Sequence, residues 1–100
     1  MSKVKHIVLL KFKAGTSDEQ IGGFFDQVLD ISESAAGVED YVSGANCSPE
    51  NQNQGLTHGF VMTFADSTVR DGYLNGPDHQ RFQTLAEPLI ESTVVFDFEI

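Results

Sequence analysis

The stretch that decides the fold is Lys3–Lys13, KVKHIVLLKFK. Its residues alternate with the two-residue period of a β-strand. Val4, His6, Val8, Leu10 and Phe12 fall on one face, and Lys5, Ile7, Leu9 and Lys11 on the other. Ala14-Gly15 breaks the strand. Thr16-Ser-Asp-Glu19 then has the form of a capping box, in which the Thr16 hydroxyl and the Glu19 carboxylate satisfy backbone donors at a helix start. The helix that follows carries Ile21, Phe24, Phe25, Val28 and Ile31 on one stripe. Gly22-Gly23 costs it roughly 2 kcal/mol of propensity against alanine, and Gly37 is placed to end it.

A second, weaker strand is read over Val38 to Gly44, followed by the polar loop Ala45 to Leu56. Thr57 to Phe64 is a third strand, with His58, Phe60, Met62 and Phe64 on one face. Asp66-Ser67 caps a second helix that is interrupted at Asn75-Gly76 and restarts at Pro77, where the missing N–H costs nothing. Pro88 ends or kinks it. Thr93 to Ile100 closes the chain as a fourth strand, with Val94, Phe96, Phe98 and Ile100 on one side. The order βαββαβ with right-handed crossovers predicts an α+β, ferredoxin-like sandwich. Its four-stranded antiparallel sheet has the order 4-1-3-2, with both helices on one face. One hundred residues fit a single domain, 1–100.

Two helices cover one face only. Val8, Leu10, Phe60, Met62 and Val95 take the helix side, which leaves Ile7, Leu9, Val61, Val94, Phe96 and Phe98 on the other. An antiparallel sheet facing water normally shows polar residues there. A homodimer with sheets face to face is the expectation.

The formal net charge of −9 argues against sequence-independent nucleic-acid binding and against anionic membranes. The apolar run Ile7–Leu10 is too short for a signal-peptide core or a membrane span, so the expected compartment is cytoplasmic. Cys47 is the only cysteine. It allows no intrachain disulfide and no multi-cysteine metal cage. The three histidines lack zinc-helix spacing, and neither a P-loop, a dinucleotide fingerprint nor a nucleophile elbow is present. Nothing points to haem. No metal and no cofactor are expected.

The topology brings chemistry to one end of the sheet. The start of the first strand lies near the ends of the third and fourth, which sets His6 level with Asp97, and the second helix begins over that end. His6, Tyr73, His79 and Asp97 then converge at one mouth, over a floor of Val8, Leu10, Phe24, Val28, Phe60, Met62 and Val95. His58 belongs to the opposite end. An apolar pocket with a few convergent polar groups is the usual form of a small-molecule site. An Asp can fix a histidine tautomer, and a Tyr hydroxyl can bond a developing oxyanion, chemistry suited to proton abstraction beside a carbonyl. The residues alone also allow plainer roles: His6 as a core histidine, and Asp97 paired with His79, His6 or a backbone amide.

Taken together, KHIVLLKFK, the Phe24-Phe25 helix, GLTHGFVMTFAD, DGYLNGPDHQRF and VVFDFE resemble, in order and over nearly the whole chain, the stress-responsive dimeric α+β barrel (Dabb) family. The resemblance implies a face-to-face dimer. The family's pattern Tyr-x-x-His-Pro-x-His is matched at Tyr73, Pro77 and His79, with Gly76 in place of the first His. A plant branch, the olivetolic acid cyclase type, closes a linear polyketide by an aldol reaction using that tyrosine and the second histidine. By resemblance, Tyr73 and His79 would take those roles, Asp97 would orient His79, and His6 would line the pocket. Three functions follow as expectations: a binder of a small, largely apolar molecule, an aldol-type cyclase or isomerase acting on a phenolic or β-keto compound, and a structural dimer with a closed cavity.

Overall fold

The computed structural model describes residues 2–100. In chain order the elements are β1 (Val4–Phe12), α1 (Asp18–Ser34), β2 (Val38–Ala45), β3 (His58–Phe64), α2 (Ser67–Leu74), α3 (Pro77–Ala86) and β4 (Ile90–Glu99). The strands form one antiparallel sheet in the order β2-β3-β1-β4, the expected arrangement. The fold is ferredoxin-like, with the second helix divided in two at Asn75-Gly76.

The start of α1 differs from the sequence expectation by one residue. Thr16 belongs to the preceding turn, where its amide and its hydroxyl both bond the Lys13 carbonyl, the latter at 2.6 Å. Ser17 therefore takes the N-cap. Its hydroxyl accepts from the Gln20 amide at 3.1 Å, and the Gln20 side chain accepts from the Ser17 amide at 2.9 Å. The box is real, but Ser17 and Gln20 form it rather than Thr16 and Glu19. At the other end the cap is Ala35, and Gly37 follows in the turn with φ +84°. A Cβ at Gly37 would sit 2.0 Å from Val69 Cγ1, so glycine lets this turn approach α2 as well as adopt its left-handed backbone.

β4 starts at Ile90, three residues before the expected Thr93, because it pairs with β1 along its whole length. A register shift between Lys11 and Phe12 accommodates the extra residues. On the helix side the core is built from Val4, Val8, Leu10, Phe12, Phe24, Val28, Ile31, Phe60, Met62 and Phe64. On the other side the sheet is open: Leu9, Val94, Phe96 and Phe98 are 38%, 47%, 63% and 45% exposed. The long loop between β2 and β3 borders that face at Leu9 and Val94 without covering it.

Candidate functional site

β1 pairs His6 directly with Asp97 on β4, so both side chains leave the sheet on the helix side. The His6 Nδ1–H donates to Asp97 Oδ1 at 2.8 Å, which leaves Nε2 as the acceptor of the neutral ring. The second carboxylate oxygen is also taken, since Arg70 Nη1 on α2 donates to Asp97 Oδ2 at 2.8 Å. Arg70 Nε bonds Asp71 at 2.9 Å. An acid on an apolar strand needs partners of this kind. His6 is buried, with its ring edge-on to Phe64 and Tyr73 at centroid separations of 6.0 and 6.4 Å.

Tyr73 and His79 meet because the chain breaks between them. Asp66 caps α2 through its bond from the Val69 amide, α2 ends at Leu74, and Pro77 opens α3. The break turns His79 toward Tyr73, with ring centroids 5.4 Å apart and an interplanar angle of 64°. Phe82, one turn further on, stacks on the imidazole at 6.1 Å. Burial lowers the His79 pKa from its ordinary 6.5 and nearby His6 adds to the lowering, while the Leu74 backbone pulls the other way. Burial and the negative charge of Asp78 push the Tyr73 phenol up to about 12. At neutral pH the pair is a free base beside an intact hydroxyl donor.

His6, Tyr73, His79 and Asp97 are thus gathered at one end of the sheet. Asp97 does not serve His79, since both of its oxygens are engaged by His6 and Arg70. The expected floor is also arranged differently. Val8, Leu10, Phe24, Val28, Phe60 and Met62 are each 2% exposed or less and pack as core. Phe82 closes that layer, with its ring 6.0 Å from Phe24 and 5.7 Å from Phe60. Val95 shares the face of Val8, as expected, but α3 stops short of it and leaves it 57% exposed. A cleft of about 450 Å³ opens there between α3 and β4, bordered by His79, Phe82, Ala86, Ile90, Thr93 and Val95. His58 lies at the far end, opposite Leu10 and against the Phe12 and Phe25 rings. Among the described residues no group of three or more His, Cys, Asp or Glu side chains is placed to hold a metal ion.

Sequence reasoning missed Arg70. The signal was available: Arg70 precedes Tyr73 by three residues, so the two share a helix face, and Asp97 on an apolar strand required a cation or donor.

A four-stranded antiparallel sheet with helices on one face and an open apolar face on the other defines the class as ferredoxin-like α+β. Residues 4–100 match the family described as Stress responsive A/B Barrel Domain, Dabb, and the chain belongs to that family. It is 26% identical to olivetolic acid cyclase of Cannabis sativa over 95 residues, covering 95% of this chain and 94% of that protein. The crystal structure of At3g17210 from Arabidopsis thaliana superposes with a TM-score of 0.91 at 29% identity, covering 97% of this chain and 94% of that one. A protein from Jannaschia sp. described as dimeric and ferredoxin-like shares the fold, with a TM-score of 0.83 at 22% identity over 98% of this chain and 99% of that one.

Proposed function

We propose that two copies of the chain pack sheet to sheet, and that each binds a small, largely apolar carbonyl compound in the cleft between α3 and β4, against His79. The observation that carries this reading is the juxtaposition of Tyr73 and His79, ring centroids 5.4 Å apart, in which a half-buried imidazole stands at the wall of a largely apolar cleft, rimmed by Glu87 and Glu91, beside a protonated phenol. Phe82 stacked on the imidazole and Val95 opposite supply apolar walls, and the Phe24, Phe60 and Met62 layer lies beneath. Dimeric structural neighbours and the open face of Leu9, Val94, Phe96 and Phe98 support the pairing. Neither a metal nor a cofactor has a part in it.

The protonation states also favour a second, enzymatic reading, for which the resemblance to olivetolic acid cyclase is further support. His79 would take the proton from a carbon next to the carbonyl. The C–H electrons would form a C=C bond, and the carbonyl oxygen would become an oxyanion bonded by the Tyr73 hydroxyl. That enolate then adds to a second carbonyl in an aldol closure or is reprotonated elsewhere in an isomerisation. His6, held by Asp97, stands behind Tyr73 as a further imidazole.

The test is a titration of the histidine ring signals by NMR with phenols, β-keto acids and acyl thioesters. Saturable movement of His79 with one class, lost in His79→Ala, supports the site and names the compounds to assay for turnover. If His79 stays still throughout, both readings fall and the plain structural dimer is the reading that remains.

A further inference from the structure

The open face of the sheet is uneven, and the strand registers set its relief. At one end a row runs Gly44, Gly59, Leu9, Val94 from β2 to β4. Four residues along, the row is Asp40, Thr63, Lys5, Phe98. Strands ~4.8 Å apart with a rise of ~3.4 Å per residue make this face roughly 14 Å each way, so it is nearly square. Diagonally opposite corners differ most. At one, Phe98 is 45% exposed, with the Phe96 ring 6.4 Å away. At the other, two glycines lie side by side.

A hollow of about 310 Å³ opens over Gly44 and Gly59 toward Val42 and Val61, and the β2–β3 loop walls a second of about 430 Å³ beside it. That loop is tied down, with the Asn53 side chain donating to the Leu56 carbonyl at 2.6 Å and the Asn46 amide to the Thr57 carbonyl at 2.8 Å. Leu9 already leans over Gly59, where a Cβ would come 2.9 Å from its Cδ2. A Cβ on Gly44 would meet nothing within 4 Å. A twofold axis between facing sheets allows four ways to lay this face on itself, two with strands aligned and two with strands crossed. One aligned packing presses Phe98 onto the partner's Asp40 and Lys5 onto the partner's Thr63. The other presses Lys5 onto the partner's Leu9. Both bury charge without a paired opposite. One crossed packing sets hollow on hollow and leaves a void. The other lays Phe98 at the partner's Gly44, and carries Lys5 to the partner's β2 edge, where its ammonium reaches water.

We infer that the hollow at Gly44 and Gly59 is the socket for Phe98 of a second copy, with Phe96 of that copy beside it over Gly59 and Leu9. The two sheets then cross near a right angle, and each copy fills the other's low corner. The inference rests on the sheet-to-sheet pairing proposed above and supplies its register. It also gives the β2–β3 loop, which has no part in the α3–β4 cleft, the task of walling the socket.

The experiment uses the full chain with Cys47→Ser and a short bis-maleimide, bismaleimidoethane. Within one chain Gly44 and Phe98 lie roughly 20 Å apart across the diagonal, beyond the reach of the reagent. Gly44→Cys with Phe98→Cys in the same chain should therefore give a covalent dimer on a denaturing gel, and either substitution alone should not. Phe98→Cys linked to itself would report the other crossed packing, and Asp40→Cys linked to Phe98→Cys an aligned one; either result overturns the register and leaves the pairing. Gly44→Leu supplies a second readout, because its side chain enters open space in the protomer but occupies the socket. It should keep the circular dichroism of wild type and raise the dimer dissociation constant at least about tenfold. Adding Phe98→Ala to Gly44→Leu should cost less than the two changes separately, since one vacates what the other fills. A Gly44→Leu chain that associates as tightly as wild type would leave the hollow to another occupant and overturn the inference. A wild-type chain that scatters light as a monomer at every concentration would remove the pairing itself, and the register with it.

Discussion

Arg70 and Asp97 join α2 to β4 across the end of β1, at 2.8 Å between Nη1 and Oδ2, and the same carboxylate holds His6 through its other oxygen. Both partners are largely shielded, with side chains 22% and 18% exposed. The pair does two things at once. It keeps an acid tolerable on an apolar strand, and it leaves Asp97 one orientation in which to meet the imidazole. His6 is thereby set as the Nδ1–H tautomer before any ligand arrives.

Arg70→Met should accordingly destabilise the chain by roughly 1–3 kcal/mol, the range for a hydrogen bond to a charged group that is lost with its partner left in place. Asp71→Asn removes the more exposed of the two Arg70 contacts and should stay within about 0.5 kcal/mol of wild type. Urea unfolding of both variants checks this. Equal stability of wild type and Arg70→Met would mean that Asp97 is held by His6 alone.

His79 gives stability a specific pH dependence. Burial puts its folded pKa below the ordinary 6.5, so on acidification the unfolded chain takes up this proton first. The contribution is whole above pH 6.5 and is lost as pH falls through the lower folded value. Wild type should therefore lose more stability than His79→Gln between about pH 7.5 and about pH 5.5, as measured by denaturant unfolding. Parallel losses in the two proteins would place His79 in water.

Tyr73 works at the opposite end of the scale. Its phenol is raised from 10.0 to about 12, so the stabilisation is complete below pH 10 and is lost as pH rises through about 12. The near-ultraviolet phenolate absorbance of the folded protein should show a transition near 12 that Tyr73→Phe abolishes. Asp78→Asn, by removing a negative charge, should bring that transition down. Ionisation of Tyr73 at the ordinary value would show that the ring is not desolvated.

How far these features could be read from the sequence differs by kind. Alternation in Lys3–Lys13 and Thr93–Ile100 reports which face a residue takes, and that was enough to set His6 level with Asp97 and leave Phe96 and Phe98 outward. Periodicity does not report what fills the space above a face. Phe82 entering between Phe24 and Phe60 turned an expected pocket floor into core, and the opening moved out to Val95. Local competition was equally illegible. Thr16 and Ser17 are both good caps, and the turn that consumes Thr16 decides between them. Asp97 could be seen to need partners, but the choice of Arg70 over His79 depends on where the α2 axis lies.

The open face yields a prediction that separates assembly from folding. Phe96 is 63% exposed in the protomer and lies 6.4 Å from Phe98, ring to ring. Phe96→Ala therefore opens no cavity within one chain, and the circular dichroism and unfolding of the isolated protomer should hardly change. Its cost falls on association: about 1.5–3 kcal/mol for each phenylalanine a dimer buries, twice over, or roughly a hundred- to ten-thousand-fold in the dimer dissociation constant. Charge acts in the opposite sense to burial. Each chain carries −9, so two protomers repel one another until salt screens them, and added salt should strengthen the dimer. Light scattering and sedimentation across protein and salt concentration read both effects. A dimer insensitive to Phe96→Ala would mean that copies meet somewhere other than this face, leaving Leu9, Val94 and Phe98 exposed with no burial to offset the cost.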